Sequence, residues 1–281
     1  MGIVAAGIMP HPPIIIPEVG RGEQQKAAGT IEAMKEISSR LAGFSEETVI
    51  IITPHGPMFR DAVAILDDTH LYGDFAAFMA PDVRIRADND PELVRSIETE
   101  SRKAGIDVAL LRERGSAANR KEFSLDHGVT VPLYYLQQAG VGRRCIAITY
   151  AFLSYYELFI FGQAVRNAVE ALSRRVIVIA SSDLSHRLIK GAPAGFNPRG
   201  EEFDRLLVNY IEDYQVEKIL TMEPGLVHAA GECGLRSIAV LLGCLDSEEV
   251  KAEVLSYEGP FGVGYAVALL NLQRKGNGSI D

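Results

Sequence analysis

Residues 175–186 read RVIVIASSDLSH. A short run dominated by β-branched side chains and closed by polar residues is the signature of a strand buried on both faces. Such strands belong to parallel sheets, whose connections pass through helices. The neighbouring segments have that character: 155–172 carries amphipathic helical spacing, and 200–214 and 216–222 read as acidic amphipathic helices. The alternation extends outward in both directions. Strands are predicted at 3–9, 48–53, 106–111 and 145–149, with helices at 24–41, 91–103, 131–138 and 232–245. A closing pair of strands is predicted at 250–257 and 264–270, with antiparallel additions near 60–87. The expectation is an α/β fold: one three-layer domain over 1–275, a central mostly parallel, mixed sheet flanked by helices, and a polar tail at 276–281. No fixed-period repeat or Ser/Gly-rich linker interrupts it.

Composition excludes several classes. Apolar residues make up 47% of the 281 positions, enough for a sizeable core. Twenty-eight basic against 37 acidic residues leave a formal charge of −9, so no general field draws in nucleic acid or anionic lipid. The three cysteines, Cys145, Cys233 and Cys244, lack CxxC spacing and form an odd set, which argues against a disulfide framework and fits a reducing compartment. MGIVAAGIMPHPP at 1–13 carries no basic leader, and no apolar stretch approaches the roughly 20 residues of a membrane span. A soluble cytoplasmic protein is expected.

Three predicted strands run almost directly into histidine: His11 in PHPP at 10–13, His55 in PHGP at 54–57, and His186 in SDLSH at 182–186. Ligands of open α/β sheets bind beyond the carboxyl ends of the strands, so three distant histidines would meet on one rim. Proline before His11 and His55 ends each strand and stiffens the backbone, which suits a metal-bound imidazole. A single Pro-His turn would carry no such weight; the repetition does. Glu232, at the predicted start of the 232–245 helix, could complete a two-histidine, one-carboxylate site that leaves open positions for substrate and O₂. Its neighbour Cys233 competes for that role, and adjacent helical side chains diverge by about 100°, so both would not reach one ion. His127 stands in a loop-to-helix junction where it can face a pocket. His70 reads as structural, His228 as core, and Glu258 as a weaker alternative carboxylate. GxGxxG, GxSxG, Walker and HExxH motifs are absent.

Taken in order, PHPP (10–13), PHGP (54–57), DHG with VPL (126–133), SDLSH (182–186) and GECG (231–234) resemble the LigB-type class III extradiol dioxygenase superfamily. Within it, the chain looks like the dioxygenase-like part of the AmmeMemoRadiSam system protein A family, with the Memo proteins as a related branch. The resemblance implies His11, His55 and Glu232 as ligands of Fe2+, with zinc or copper as substitutes. It implies His186 as the acid–base residue and His127 as a group facing substrate. The implied reaction is ring cleavage of a small catechol-like aromatic diol with O₂. The same resemblance admits a homo-oligomer and functional association with an AMMECR-type domain. Memo-like relatives place a cysteine where Cys233 stands, so a non-catalytic metal- or peptide-binding protein is the alternative. A zinc hydrolase is the third reading, since two histidines and a glutamate also suit zinc.

Overall fold

The computed structural model describes residues 2–112 and 124–273. In chain order the elements are β1 (Gly2–Met9), α1 (Pro17–Gly20), α2 (Ala28–Ala42), β2 (Thr48–Thr53), β3 (Ala62–Leu66), β4 (His70–Phe75) and β5 (Ala80–Asp88). Next come α3 (Pro91–Lys103), β6 (Asp107–Leu111), α4 (His127–Gln138), β7 (Cys145–Thr149), α5 (Tyr155–Ala171) and β8 (Arg175–Ser181). The chain continues through α6 (Arg199–Glu212), α7 (Val216–Leu220), α8 (Pro224–Ala230) and α9 (Leu235–Cys244) to β9 (Val250–Glu258) and β10 (Tyr265–Leu272).

Eight strands form one sheet in the order β6-β3-β7-β2-β8-β1-β10-β9, and β4 pairs with β5 in a separate ribbon. The centre, β7-β2-β8-β1, is parallel throughout. β3 meets β7 antiparallel, and β10 joins β1 and β9 antiparallel, so the sheet is mixed as expected. Successive residues of β2 show why this strand sits in the middle: Ile50 and Ile52 enter the core on one face, Val49 and Ile51 the core on the other. Helices α3, α5, α6 and α9 cover the first face. On the second lie α2, α4 and the β4–β5 ribbon. The expected tail at 276–281 lies outside the described residues.

Of the expected boundaries that move, two concern the site. Helix α4 begins at His127 instead of residue 131, because the Asp126 side chain caps it by accepting from the Gly128 N–H. Helix α9 begins at Leu235 instead of 232, which leaves Glu232 and Cys233 in the loop before it. A helix absent from the sequence reading, α8, precedes that loop and ends on Gly231 in the left-handed conformation.

Helices α5 and α9 cross with backbone close to backbone at Gly162 and Gly243. A Cβ on Gly243 would strike the Phe159 carbonyl oxygen, and one on Gly162 the Val240 carbonyl oxygen. Gly243→Ala is therefore expected to cost about 1–3 kcal/mol through overpacking. Differential scanning calorimetry should read this as a melting point lowered by roughly 2–4 °C per kcal/mol. An unchanged melting point would show that the helices part without penalty.

Candidate metal centre

The parallel core strands deliver their carboxyl ends to one rim, and side chains from three of those ends meet there. His11 follows β1 and is buried. Its backbone N–H donates to Asp183 Oδ1 at 2.8 Å, and its Nδ1 lies 2.8 Å from Ser181 Oγ. The Ser181 hydroxyl spends its single proton on the Gly128 carbonyl. Ser181 Oγ must therefore accept from His11, which places the proton of the neutral ring on Nδ1 and leaves Nε2 with a free lone pair.

That Nε2 faces His55 Nε2 at 3.0 Å and Cys233 Sγ at 3.5 Å. These three donor atoms lie within 4.8 Å of one another. His55 follows β2, and its N–H donates to Thr53 Oγ1, whose hydroxyl donates to Asp126 Oδ1 at 2.6 Å. The same carboxylate oxygen caps α4, so one acidic side chain ties the His55 turn to the helix that begins with His127. The His127 ring stacks on His55 with centroids 4.1 Å apart and meets His11 edge-on at 5.6 Å. Phe78, from the turn between β4 and β5, closes on His127 edge-on at 5.5 Å.

His186, after β8, completes the group. Its Nδ1 lies 3.0 Å from the Leu184 carbonyl, which can only accept, so Nε2 again carries the lone pair. His186 bears electrostatically on both His11 and His55.

The surroundings favour neutral imidazoles. Burial, followed by repulsion from His55, His127 and His186, holds His11 well below its ordinary value. Burial in the cleft and then His127 and His186 bring His55 down to about 4. Burial lowers His127 and His186 as well. Acidic groups shift the other way: burial lifts Asp183 to about 7 against the opposing His11 N–H, and raises the Cys233 thiol with help from Asp183 and Glu232. Neutral nitrogen donors beside acidic groups whose ionisation burial disfavours suit a cation, which would favour the thiolate. Ligand distances of about 2.0–2.1 Å for nitrogen and 2.3 Å for sulfur imply donor separations close to the 3.0 and 3.5 Å from His11 to His55 and Cys233. The donor set fits a divalent metal.

Glu232 takes no part in this cluster. Its Oε2 accepts from the Leu235 N–H at 2.6 Å and so caps α9. Cys233, the competing third ligand of the sequence reading, is the residue turned inward. Gly234 allows the turn, because a Cβ there would collide with Ser182 Oγ. Among the remaining residues, His70 sits on the surface beside Asp88. His228, expected in the core, is exposed on the last turn of α8, and Glu258 binds the N–H and hydroxyl of Thr30 at 2.6 and 2.7 Å. Sequence reasoning missed Ser181, Thr53 and Asp126 as groups that orient the histidines; Asp183 reads in the sequence as a group that can orient His186, and in the structure it holds His11. Thr53 and Asp126 lie within two residues of His55 and His127, which was the available signal, whereas Ser181 reaches His11 from 170 positions away.

Known proteins share this architecture. The profile of a family described as the catalytic LigB subunit of aromatic ring-opening dioxygenase matches residues 5–268. Protein CA_C1420 of Clostridium acetobutylicum is 42% identical over 263 residues, covering 94% of this chain and 56% of its own length. The chain thus spans about half of that relative. The 3,4-dihydroxyphenylacetate 2,3-dioxygenase of Escherichia coli is 26% identical across 90% of this chain and 93% of its own. A MEMO1 family protein of Pyrococcus abyssi, PYRAB05390, is 27% identical over 178 residues, 59% of this chain and 60% of its own. The crystal structure of uncharacterized protein JW3007 from Escherichia coli K12 shares the fold with a TM-score of 0.60 at 12% identity, covering 95% of this chain and 99% of that one. Among the described residues no helix is long and apolar enough to cross a membrane.

Proposed function

Because this chain belongs to the LigB family of aromatic ring-opening dioxygenase catalytic subunits, we propose that it opens a catechol-like ring with O₂ at a ferrous ion held by His11, His55 and Cys233. The observation that carries the reading is the convergence of two imidazole Nε2 atoms and a thiol on one point, with two further neutral histidines beside it. When bound, the ferrous ion supplies a Lewis acid with open positions at which diol and O₂ can be held together.

The protein's own groups account for the rest. His186 Nε2, with its lone pair free and the ring fixed by Leu184, can take a proton from a substrate hydroxyl and return it when the ring opens. His127, braced against His55 and Phe78, is positioned to hydrogen-bond a substrate oxygen. Its ring and that of Phe78 give an aromatic substrate a wall to pack on and narrow the access of water. Ser181 and Asp183 hold His11 at its N–H and Nδ1, so the ring does not turn away from the site.

Anaerobic loading with Fe2+, followed by O₂ uptake with a panel of catechols, tests the proposal. Uptake in proportion to diol and dependent on loaded iron is the expected result. A fully loaded site that consumes no O₂ with any diol would end it. That outcome favours a second reading, a Memo-like metal-binding protein without ring-opening activity, which the presence of Cys233 in place of Glu232 in the cluster supports.

A further inference from the structure

Asp204 lies outside the metal cluster, on α6, with no exposed surface. Among the described residues no cation pairs with it. A buried carboxyl group without a counter-charge is costly unless its oxygens are hydrogen-bonded. Two neutral donors meet that need. The Ser185 N–H donates to Oδ1 at 2.8 Å, and the Tyr257 hydroxyl donates to Oδ2 at 2.8 Å. A Cβ on Gly264 would collide with the same Oδ2, so the glycine before β10 leaves the carboxyl group its place.

The Ser185 N–H and the Leu184 carbonyl belong to one peptide unit, which is rigid and planar. That carbonyl accepts from His186 Nδ1 at 3.0 Å. A line of three groups results: the Asp204 carboxyl, the Leu184–Ser185 peptide and the His186 imidazole. The flanking peptides are held by other elements. Gly264 accepts from the Leu184 N–H at 2.8 Å and donates to the Ser185 carbonyl at 2.9 Å, while the Ala230 carbonyl accepts from the His186 N–H at 3.1 Å. None of these bonds touches the peptide between Leu184 and Ser185, whose tilt decides where the Leu184 oxygen points. Among the described residues, Asp204 alone holds its N–H and the His186 ring alone meets its carbonyl.

We infer that Asp204 is a positioning residue for His186: through the Leu184–Ser185 peptide it fixes the imidazole with its proton on Nδ1 and its lone pair on Nε2. The inference rests on the ring-opening reading, which gives His186 the proton transfer, and it names the group that orients that histidine. Hydrogen bonds strengthen one another along such a chain. Burial lifts Asp204 to about 7, with the Ser185 N–H and the Tyr257 hydroxyl opposing and Glu232 adding repulsion. In either protonation state Oδ1 can accept from Ser185, because a proton on Oδ2 can be donated to the Tyr257 oxygen. The positioning therefore holds on both sides of neutrality.

The test reads the His186 tautomer from imidazole nitrogen shifts of the full chain without metal, at mildly alkaline pH where the ring is neutral. Ring-opening kinetics of the iron-loaded protein accompany it. Asp204→Asn keeps an oxygen for the Ser185 N–H and an NH₂ for Tyr257, whereas Asp204→Leu offers no acceptor at all. Wild type and Asp204→Asn are expected to hold His186 protonated on Nδ1. Asp204→Leu is expected to move the proton towards Nε2 and to lose about 10- to 100-fold in kcat, the usual cost of removing an outer partner in a metal site, with KM and iron content unchanged. A merely structural Asp204 would lower the melting point without moving the tautomer, and that result overturns the inference. So does a wild type that carries His186 protonated on Nε2. Absence of O₂ uptake with every diol removes the ring-opening reading instead, and the tautomer, read without iron or diol, then decides the positioning alone. Should Asp204→Leu not fold, Asp204→Asn and the wild type decide: a loss of about tenfold or more in kcat despite the retained acceptor overturns the inference.

Discussion

Cys233→Ala is expected to strip the protein of its metal, whereas Glu232→Gln should leave it loaded. In the first variant the third donor disappears from a cluster whose two nitrogens lie 3.0 Å apart and whose sulfur lies 3.5 Å from His11. Loss of an outer-sphere partner typically weakens metal binding about 10- to 100-fold, and loss of a direct ligand should exceed that. Glutamine at 232 retains an oxygen for the Leu235 N–H, so the start of α9 survives. Glu232→Ala removes the cap and should lower stability by about 0.5–2 kcal/mol, again with metal retained. Metal content after dialysis, read by mass spectrometry beside a thermal melt, separates these outcomes. Full loading of Cys233→Ala together with loss of metal from a folded Glu232→Ala would restore the carboxylate site and refute the thiolate assignment.

His186→Gln should leave metal content unchanged and reduce ring opening by about 10²- to 10⁴-fold, the usual contribution of a positioned acid–base group. The pH profile provides a second check. Burial holds the His186 pKa below 6.5, with the Leu184 carbonyl opposing that shift. The base form is populated above the pKa, so the wild-type rate should be level near neutrality and decline only on the acid side of 6.5. In the variant, the part of that acid limb due to His186 should vanish from the residual rate. Wild-type rates with an unaltered limb would remove His186 from the chemistry.

Much of this was legible in the sequence. Strands β2 and β7 and helix α3 fall on the expected residues, because each is bounded by an unmistakable feature: β-branched runs for the strands, Asp90-Pro91 at the start of the helix. The two Pro-His turns gave His11 and His55, and topology made their meeting intelligible. The loop before α9 was harder to read. Glu232 and Cys233 both looked like the opening of a long apolar helix, and periodicity alone cannot say where such a helix begins. The outcome depends on Gly234 packing against Ser182 and on the Glu232 carboxylate folding forward onto Leu235, both tertiary facts. Likewise α4 gained four residues through Asp126, a side chain that caps the helix and reaches back to Thr53. The tautomer of His11 had no trace in the sequence, since it follows from a Ser181 hydroxyl and a Gly128 carbonyl that folding brings near.

The two kinds of support beneath the donors have different tolerances for change. His11 and His55 stand on tightly paired strands, where a one-residue slip would turn every neighbouring side chain inside out. Glu232 and Cys233 stand on the connector between α8 and α9, where no strand register fixes which of two neighbouring side chains faces the rim. A scaffold divided in this way can alter the softness of its metal site, and with it the preferred ion and redox behaviour, while the rest of the pocket stays as it is. The adjacency of glutamate and cysteine is thus a hinge between two chemistries on one frame.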